Sequence, residues 1–312
     1  MSAIQTTTYG TATDFSSGLK EDLDLVFMDE FNGEERQFEK VFHVDDTKEF
    51  IINESKIQGP SLGNIVSEGG SFVRLEMVHI HDKTYQMATM KNEMKITREA
   101  LDYLRFQEMK DAAKELARTI SRTVDRYAQL FIANGFGSSL APNDNLSLFN
   151  TAHALANEQY SQTTVANRSN LSLNATNLAS RRVAMRQMRN DNGDPCLLKP
   201  NRLITGPNLE FVGAKMVAPG SEPGTANNDP NVAGRGLEHI VLDCLADPWA
   251  PYPNMWVLQD SKAHKLKFFW GKRPVQWVDK DPNSADYLYR IECRFAYGCS
   301  DFRGVDGNTG EV

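Results

Sequence analysis

Met109, Ala112, Ala113, Leu116, Ala117, Ile120, Val124, Tyr127, Ala128 and Phe131 recur at intervals of three and four residues. That spacing describes one face of an amphipathic α-helix. Thr97 is a suitable N-cap, the pattern stops at Asn134-Gly135, and residues 103–107 interrupt it weakly. At roughly 1.5 Å per residue, a helix over 97–134 would be about 55 Å long. The 312-residue chain must therefore build something elongated around it, as two domains or one composite body.

Upstream, residues 1–35 are rich in Thr, Ser and Gly and then in acid, with scattered apolar anchors at Leu19, Leu23, Leu25, Phe27 and Phe31. They read as an arm that docks on something. Residues 36–70 read as extended pieces, 38–44 and 49–53, broken by Gly59, Pro60, Gly63 and Gly69-Gly70, and hold too little apolar material for a core. Residues 71–81 alternate, with Val73, Leu75, Met77, His79 and His81 on one face. A second strand over 84–94, across a turn at Asp82-Lys83, would complete a hairpin.

Downstream the pattern becomes mixed. Leu178, Met185 and Met188 mark a helix that ends at Asn192-Gly193, 202–205 reads as a buried strand, and Pro207 opens another helix. Ten of the eighteen residues in 219–236 are Pro, Gly or Asn, the composition of a long loop. Strands are expected at 237–242, 255–258, 266–270, 275–278 and 287–297.

Composition excludes several functions. The net charge is −7, the wrong sign for a basic nucleic-acid footprint. No run approaches a membrane span and the first residues lack a signal-peptide pattern, so a soluble, unexported protein is expected. Cys196, Cys244, Cys293 and Cys299 form no CxxC pair and suit a reducing compartment. Charge is nevertheless patterned locally. Residues 21–35 hold seven acids and no base, whereas 262–273 hold five bases and no acid.

Candidate chemistry is sparse. Gly59-Pro60-Ser61-Leu62-Gly63 fits G-x-S-x-G but lacks the strand and helix that expose a nucleophilic serine. His79 and His81 have no third ligand nearby. Gly271-Lys272 has Leu266 where a phosphate loop needs its first glycine. Asn190-Asp191-Asn192-Gly193-Asp194 places Lys199 where a calcium loop needs glutamate, and reads as a helix C-terminal turn. No catalytic residue, cofactor or metal site is expected.

Specific local text carries a resemblance. Leu148, Phe149 and His153 resemble the LF-x-x-x-H that follows the long helix in head subunits of Mu-like tailed phages. Asn177-Leu178-Ala179-Ser180-Arg181-Arg182-Val183-Ala184-Met185-Arg186 is similar to their NL-x-x-AR-x-AM-R helix, with Arg181 where the motif has Ala. Pro200, Leu203, Ile204, Pro207, Leu209 and Glu210 resemble their P-x-x-L-I…P-x-LE segment, and Asp301-Phe302-Arg303-Gly304 resembles their closing D-[FY]-RG. The resemblance covers roughly residues 90–304. It implies an α+β chain of the Hong Kong ninety-seven capsid fold, with an N-arm at 1–35 and an E-loop at 36–70. The P-domain would be 71–148 around the spine helix, the A-domain 149–278, and 279–312 a C-terminal P-domain strand and tail. It does not carry the crosslinking chemistry of one branch over to Lys40, Lys48 or Lys56.

The implied function is a major capsid protein, not an enzyme, that self-assembles into pentamers and hexamers of an icosahedral virion head. Assembly would occur in the host bacterial cytoplasm, around double-stranded DNA bound without sequence specificity and away from any membrane. A region before the E-loop too short for a fused scaffold leaves scaffolding to a separate protein or makes it dispensable, with portal and decoration proteins as further partners. The spine helix is expected to rest Leu116, Ile120, Val124 and Phe131 on the P-domain sheet. Asp24, Asp29 and Glu30 are expected either to meet Lys265, Lys267 and Lys272 of an adjacent subunit or to form, like them, a separate solvated face. Two other readings stay open: an encapsulin-type nanocompartment shell, and a serine hydrolase built on Ser61.

Overall fold

The computed structural model describes residues 12–58, 63, 65–72, 74, 77–103, 106–137, 142, 144–154, 164–218, 233–284 and 286–311. The expected N-terminal arm is, over its described part, helix α1 (Ala12–Gly33). Leu23, Phe27 and Phe31, each four residues apart, are buried, while Leu25 between them is 70% exposed. That interval of four is what a helix face requires. The rings of Phe27 and Phe31 stack 6.1 Å apart.

The expected helix over 97–134 is two helices, α2 (Arg98–Asp102) and α3 (Phe106–Ala133). Met109, Ala113, Ala117, Ile120, Val124, Ala128 and Phe131 are all buried, and Leu116 is half-buried at the margin of the same cluster. Three alanines in this stripe let α1 pack closely on α3. Ion pairs border the contact, Arg118 to Glu30 at 2.7 Å and Lys110 to Asp22 at 3.0 Å. The Asp125 carboxylate on α3 accepts from the backbone N–H groups of Gln37 and Phe38 at 3.2 and 2.8 Å. This fixes the 3-10 turn Gln37–Lys40.

The strands are β1 (His43–Asp46), β2 (Ile51–Gln58), β3 (Val78–Gln86), β4 (Ala88–Ile96), β5 (His153–Ala154), β6 (Thr164–Val165) and β7 (Arg168–Ser169). After helix α4 (Ala175–Arg186) come β8 (Arg202–Thr205), helix α5 (Glu210–Val217), β9 (Glu238–Val241) and β10 (Trp256–Gln259). The chain closes with β11 (Leu266–Lys280), β12 (Tyr287–Cys299) and β13 (Val305–Asn308).

One sheet has the order β1-β11-β12-β4. The two strands expected at 266–270 and 275–278 are a single long strand, β11, whose register shifts between Trp270 and Val275. Gly271 and Pro274 lie in that irregular stretch, where proline is tolerated. Phe268, Trp270, Tyr289, Ile291 and Phe295 of this sheet share one core with α1 and α3.

The second sheet has the order β7-β13-β10-β8-β9, and its core of Leu178, Met185, Leu203, Trp256 and Phe302 is separate. β13 corrects the expectation that everything after 278 stays with the first sheet. The approach there demands glycine: a Cβ on Gly307 would lie 2.4 Å from the Phe149 ring.

Two further expectations fail around the loop. Residues 36–46 belong to the body, because Phe38, Val41 and Phe42 are buried in the main core and Phe38 packs on Phe268 at 4.3 Å. No turn forms at Asp82-Lys83, and β3 runs straight through it. β3 pairs antiparallel with β2 from Ile51↔Gln86 to Gln58↔Val78, and β4 pairs with β12 instead. Asp82 lies across the ladder from Ser55, whose hydroxyl donates to it at 2.6 Å; this cross-strand bond replaces the expected turn. The hairpin therefore spans 51–86, passing the expected boundary at 70. Ser61 and the loop 219–232 lie outside the described residues, as do residues 1–11. Among the described residues no helix is long and apolar enough to cross a membrane.

Ile120→Asp is expected to cost several kcal/mol by burying an unpaired charge in the main core. Leu116→Asp, at the margin, should cost clearly less. Thermal melts followed by circular dichroism check the order, and an Ile120→Asp protein as stable as Leu116→Asp would contradict it.

Candidate functional site

The β2–β3 hairpin is the part of the chain least absorbed into a core. Side chains alternate along it, as a strand dictates. Ile52, Glu54 and Lys56 on β2, with Lys83 and Tyr85 on β3, are turned inward and partly or fully buried, whereas Ile51, Asn53, Ser55 and Ile57 are exposed.

The inner face changes character along its length. At the root it is apolar: Tyr85, Met87, Phe269 and Ala296 form a small cluster, with Ile52 against it. The Tyr85 ring meets Phe269 edge-on at 5.2 Å. Next comes Glu54, which accepts from Tyr85 Oη at 3.1 Å and from Lys267 Nζ at 2.7 Å. Burial first, and then the Glu54 charge, push the Tyr85 phenol well above its ordinary range, so it serves as a donor.

Furthest out, Lys56 reaches Asp191, in the turn after α4, and Asp301, between β12 and β13, at 3.2 and 3.0 Å. Arg303 bonds the same two carboxylates at 2.9 and 3.0 Å. Burial pushes both carboxyls up, but the Arg303 and Lys56 charges outweigh it and hold Asp191 and Asp301 below the usual carboxylate range.

Beyond Lys56 the ladder slips by one position before Ile57. From there Ile57, Val66 and Met77 are exposed, and Ile65 and Phe72 fully so. A contiguous stretch of chain carrying this much exposed apolar surface is made to be covered.

The quoted motifs turn out to hold the body beneath the hairpin. Leu148 and Phe149 are buried in the core. His153 is buried between Asp144, which faces Nδ1, and Asn167, whose Oδ1 faces Nε2 at 3.0 Å. Its ring stacks on Phe302 at 3.7 Å. Arg181 of α4 pairs with the buried Asp306 of β13. Gly304 has a φ of +86° and no room for a Cβ against the His264 backbone.

The residues expected to join acid to base are mostly engaged elsewhere. Glu30 bonds Arg118, Asp24 accepts from Tyr289 Oη at 2.9 Å, Lys267 bonds Glu54, and Lys272 bonds Glu292 at 3.3 Å. Asp29 and Lys265 are exposed. Of the loop lysines, Lys40 pairs with Glu35 at 2.6 Å and Lys56 sits between its two carboxylates. The helix expected to end at Asn192-Gly193 ends at Arg186, and Asn190 and Gly193, the latter at a φ of +83°, form a separate turn closed by the Arg189–Pro195 bridge, not the helix's own C-terminal turn. His79 bonds the Asp82 carboxylate. Among the described residues no group of three or more His, Cys, Asp or Glu is placed to hold a metal ion.

Sequence reasoning missed Glu54, Lys56, Asp191 and Tyr85 as members of one site. The available signal was the alternation Ile52-Glu54-Lys56, obscured because the segment is polar overall. Gly298 tests the root. A Cβ there would lie 2.8 Å from the buried Tyr85 ring, which Phe269 prevents from yielding. Gly298→Ala is expected to destabilise by about 1–3 kcal/mol and to speed amide exchange across 51–56 and 84–87. Exchange rates equal to wild type would refute the assigned contact.

The fold has known counterparts. The procapsid of bacteriophage JBD30 superposes with a TM-score of 0.54 at 13% identity, over 97% of this chain and 77% of that one. A solved structure described as Microbacterium phage Oxtober96 gives 0.55 at 10% identity, over 88% and 91%. A virus-like particle from Pyrococcus furiosus gives 0.52 at 10%, over 92% and 98%. At such identities these likenesses establish a shared Hong Kong ninety-seven architecture and leave function to other arguments. No curated protein matches the sequence. A family described as phage capsid protein matches residues 82–305, the span from the hairpin's second strand to the first residue of β13. On that match, the chain belongs to the phage capsid protein family.

Proposed function

We propose that the chain is the repeating major subunit of an icosahedral phage head, and that the distal half of its β2–β3 hairpin joins it to its neighbours. The carrying observation is the exposure of Ile57, Ile65, Val66, Phe72 and Met77 on one segment held at its root by the subunit's own core. Exposed apolar side chains at the end of β2 and in the connection between β2 and β3 gain their burial from another copy. The ribbon's open edges add backbone hydrogen bonds in the same step.

A closed shell reuses one surface in five-fold and six-fold rings, so a rigid body must carry a segment that reorients. The two-sheet body and the root-anchored hairpin divide these duties. Family membership favours the shell over a serine hydrolase. It favours a phage head over a cellular compartment, whose fold alone is equally compatible.

The Mu-like branch, the separate scaffolding, portal and decoration proteins, and packaged DNA as cargo belong to this reading. So do assembly in the host cytoplasm and a salt-sensitive contact between subunits at Asp29 and Lys265. The boundaries proposed for the assembly loop are 51–86, with the N-terminal helix part of the body.

The double variant Ile65→Ser/Phe72→Ser is expected to melt within about 0.5 kcal/mol of wild type, since both side chains are in water in the subunit. It should form no closed shells by negative-stain microscopy. Shells at wild-type yield would overturn the assignment.

A further inference from the structure

The hold on the hairpin is apolar only at its root. Beyond Glu54 the described contacts between inner face and body are ionic: Lys56 against Asp191 and Asp301, with Arg303 behind them. The side chains of Lys56, Asp191, Asp301 and Arg303 are each less than one-fifth exposed. Two cations face two carboxylates, so the cluster is neutral with Lys56 seated. Lifting the hairpin about its root removes Lys56 alone, because the other three belong to the body. What remains is two carboxylates sharing one guanidinium, a net negative charge. With Lys56 gone the carboxylates repel each other, and a proton from solvent relieves that repulsion.

The other ionisable groups around the cluster do not take over this role. The Cys196 thiol is pushed up by burial and stays neutral. Arg303 is fixed by a further bond from Nε to the Arg189 carbonyl at 3.0 Å. His153 lies over the Phe302 ring and is committed to Asp144 and Asn167. Glu54 is committed to Lys267 and Tyr85 nearer the root. Lys83 stands opposite Glu54 in register, half-buried, with its charged form disfavoured by burial.

We infer that Lys56 latches the hairpin to its own body, and that releasing the hairpin takes up one proton onto the Asp191–Asp301 pair, so acid frees the assembly segment. This rests on the reading of the hairpin as the segment that meets neighbours. The sign follows from the carboxyls, which are held below their ordinary range while Lys56 is seated. The latch is intact above that range and weakens as pH falls toward it.

The test uses the full-length chain, dilute enough to stay unassembled. Two fluorophores are introduced through bio-orthogonal residues at the exposed positions Glu68 and Glu311, and energy transfer is followed from about pH 7.5 to about pH 4.5. Wild type should show one distance at neutral pH and a second population that grows with acid. Lys56→Met should show the second population already at neutral pH, raised about tenfold, with little further response to acid, and Lys56→Arg should restore the wild-type profile. Circular dichroism at each pH separates release from unfolding. A Lys56→Met protein with the wild-type distance throughout, or with an undiminished acid response, would overturn the latch. Shells formed by the serine double variant would overturn the assembly reading alone, since the distances are measured on unassembled subunits.

Discussion

Everything else in the subunit depends on the dry contact between α3, α1 and the four-stranded sheet. Ala113, Ala117, Val124 and Ala128 on α3 are fully buried, as are Phe27, Phe268 and Tyr289 around them. Small residues on one helix face aromatic ones on its partners in a single buried cluster. Each large apolar side chain buried this way contributes about 1.5–3 kcal/mol. Such a core resists bending, and a subunit used in several geometries needs its body not to bend.

Against that rigid body, the hairpin is attached by two kinds of force. The Tyr85–Phe269 root is apolar and edge-packed, and is lost only when the sheet itself is disturbed. The charges at Glu54 and Lys56 sit further out and respond to the solvent, as apolar surface does not. A segment anchored at one end by packing and along its length by charge can change position without changing fold.

Much of this was legible in the residues, and the failures have physical causes. The α3 face was readable because its period is sustained over seven turns of pattern-bearing sequence. Strands β9 to β12 were readable as short apolar runs. α1 was not read as a helix because Leu19, Leu23, Leu25, Phe27 and Phe31 look like scattered anchors, and only the burial of Leu23, Phe27 and Phe31 with Leu25 exposed shows an interval of four. The hairpin was mispaired because β2, with Asn53, Glu54, Ser55 and Lys56, offers no apolar pattern, and its partner lies beyond a long loop. The ion cluster was invisible because its members come from three distant segments. Asp191 read correctly as part of a turn and Asp301 as part of a motif, yet nothing local told that they share a lysine. The acidic run has basic partners within its own chain, among them Arg118 and Lys110 on α3.

The first sheet also orders events in time. Its outer strands come from early in the chain and its central pair from late: His43 is in register with Lys267, and Ile96 with Tyr287. Synthesis must therefore pass β12 before β1 and β4 can both find their partners, a topology of high contact order that folds slowly. Until β12 leaves the ribosome, the residues that seat the hairpin, Phe269 and Ala296 among them, are not in place. A nascent chain that has not yet released β12 thus cannot seat Tyr85 and Met87 on Phe269 and Ala296, and its hairpin has no fixed root.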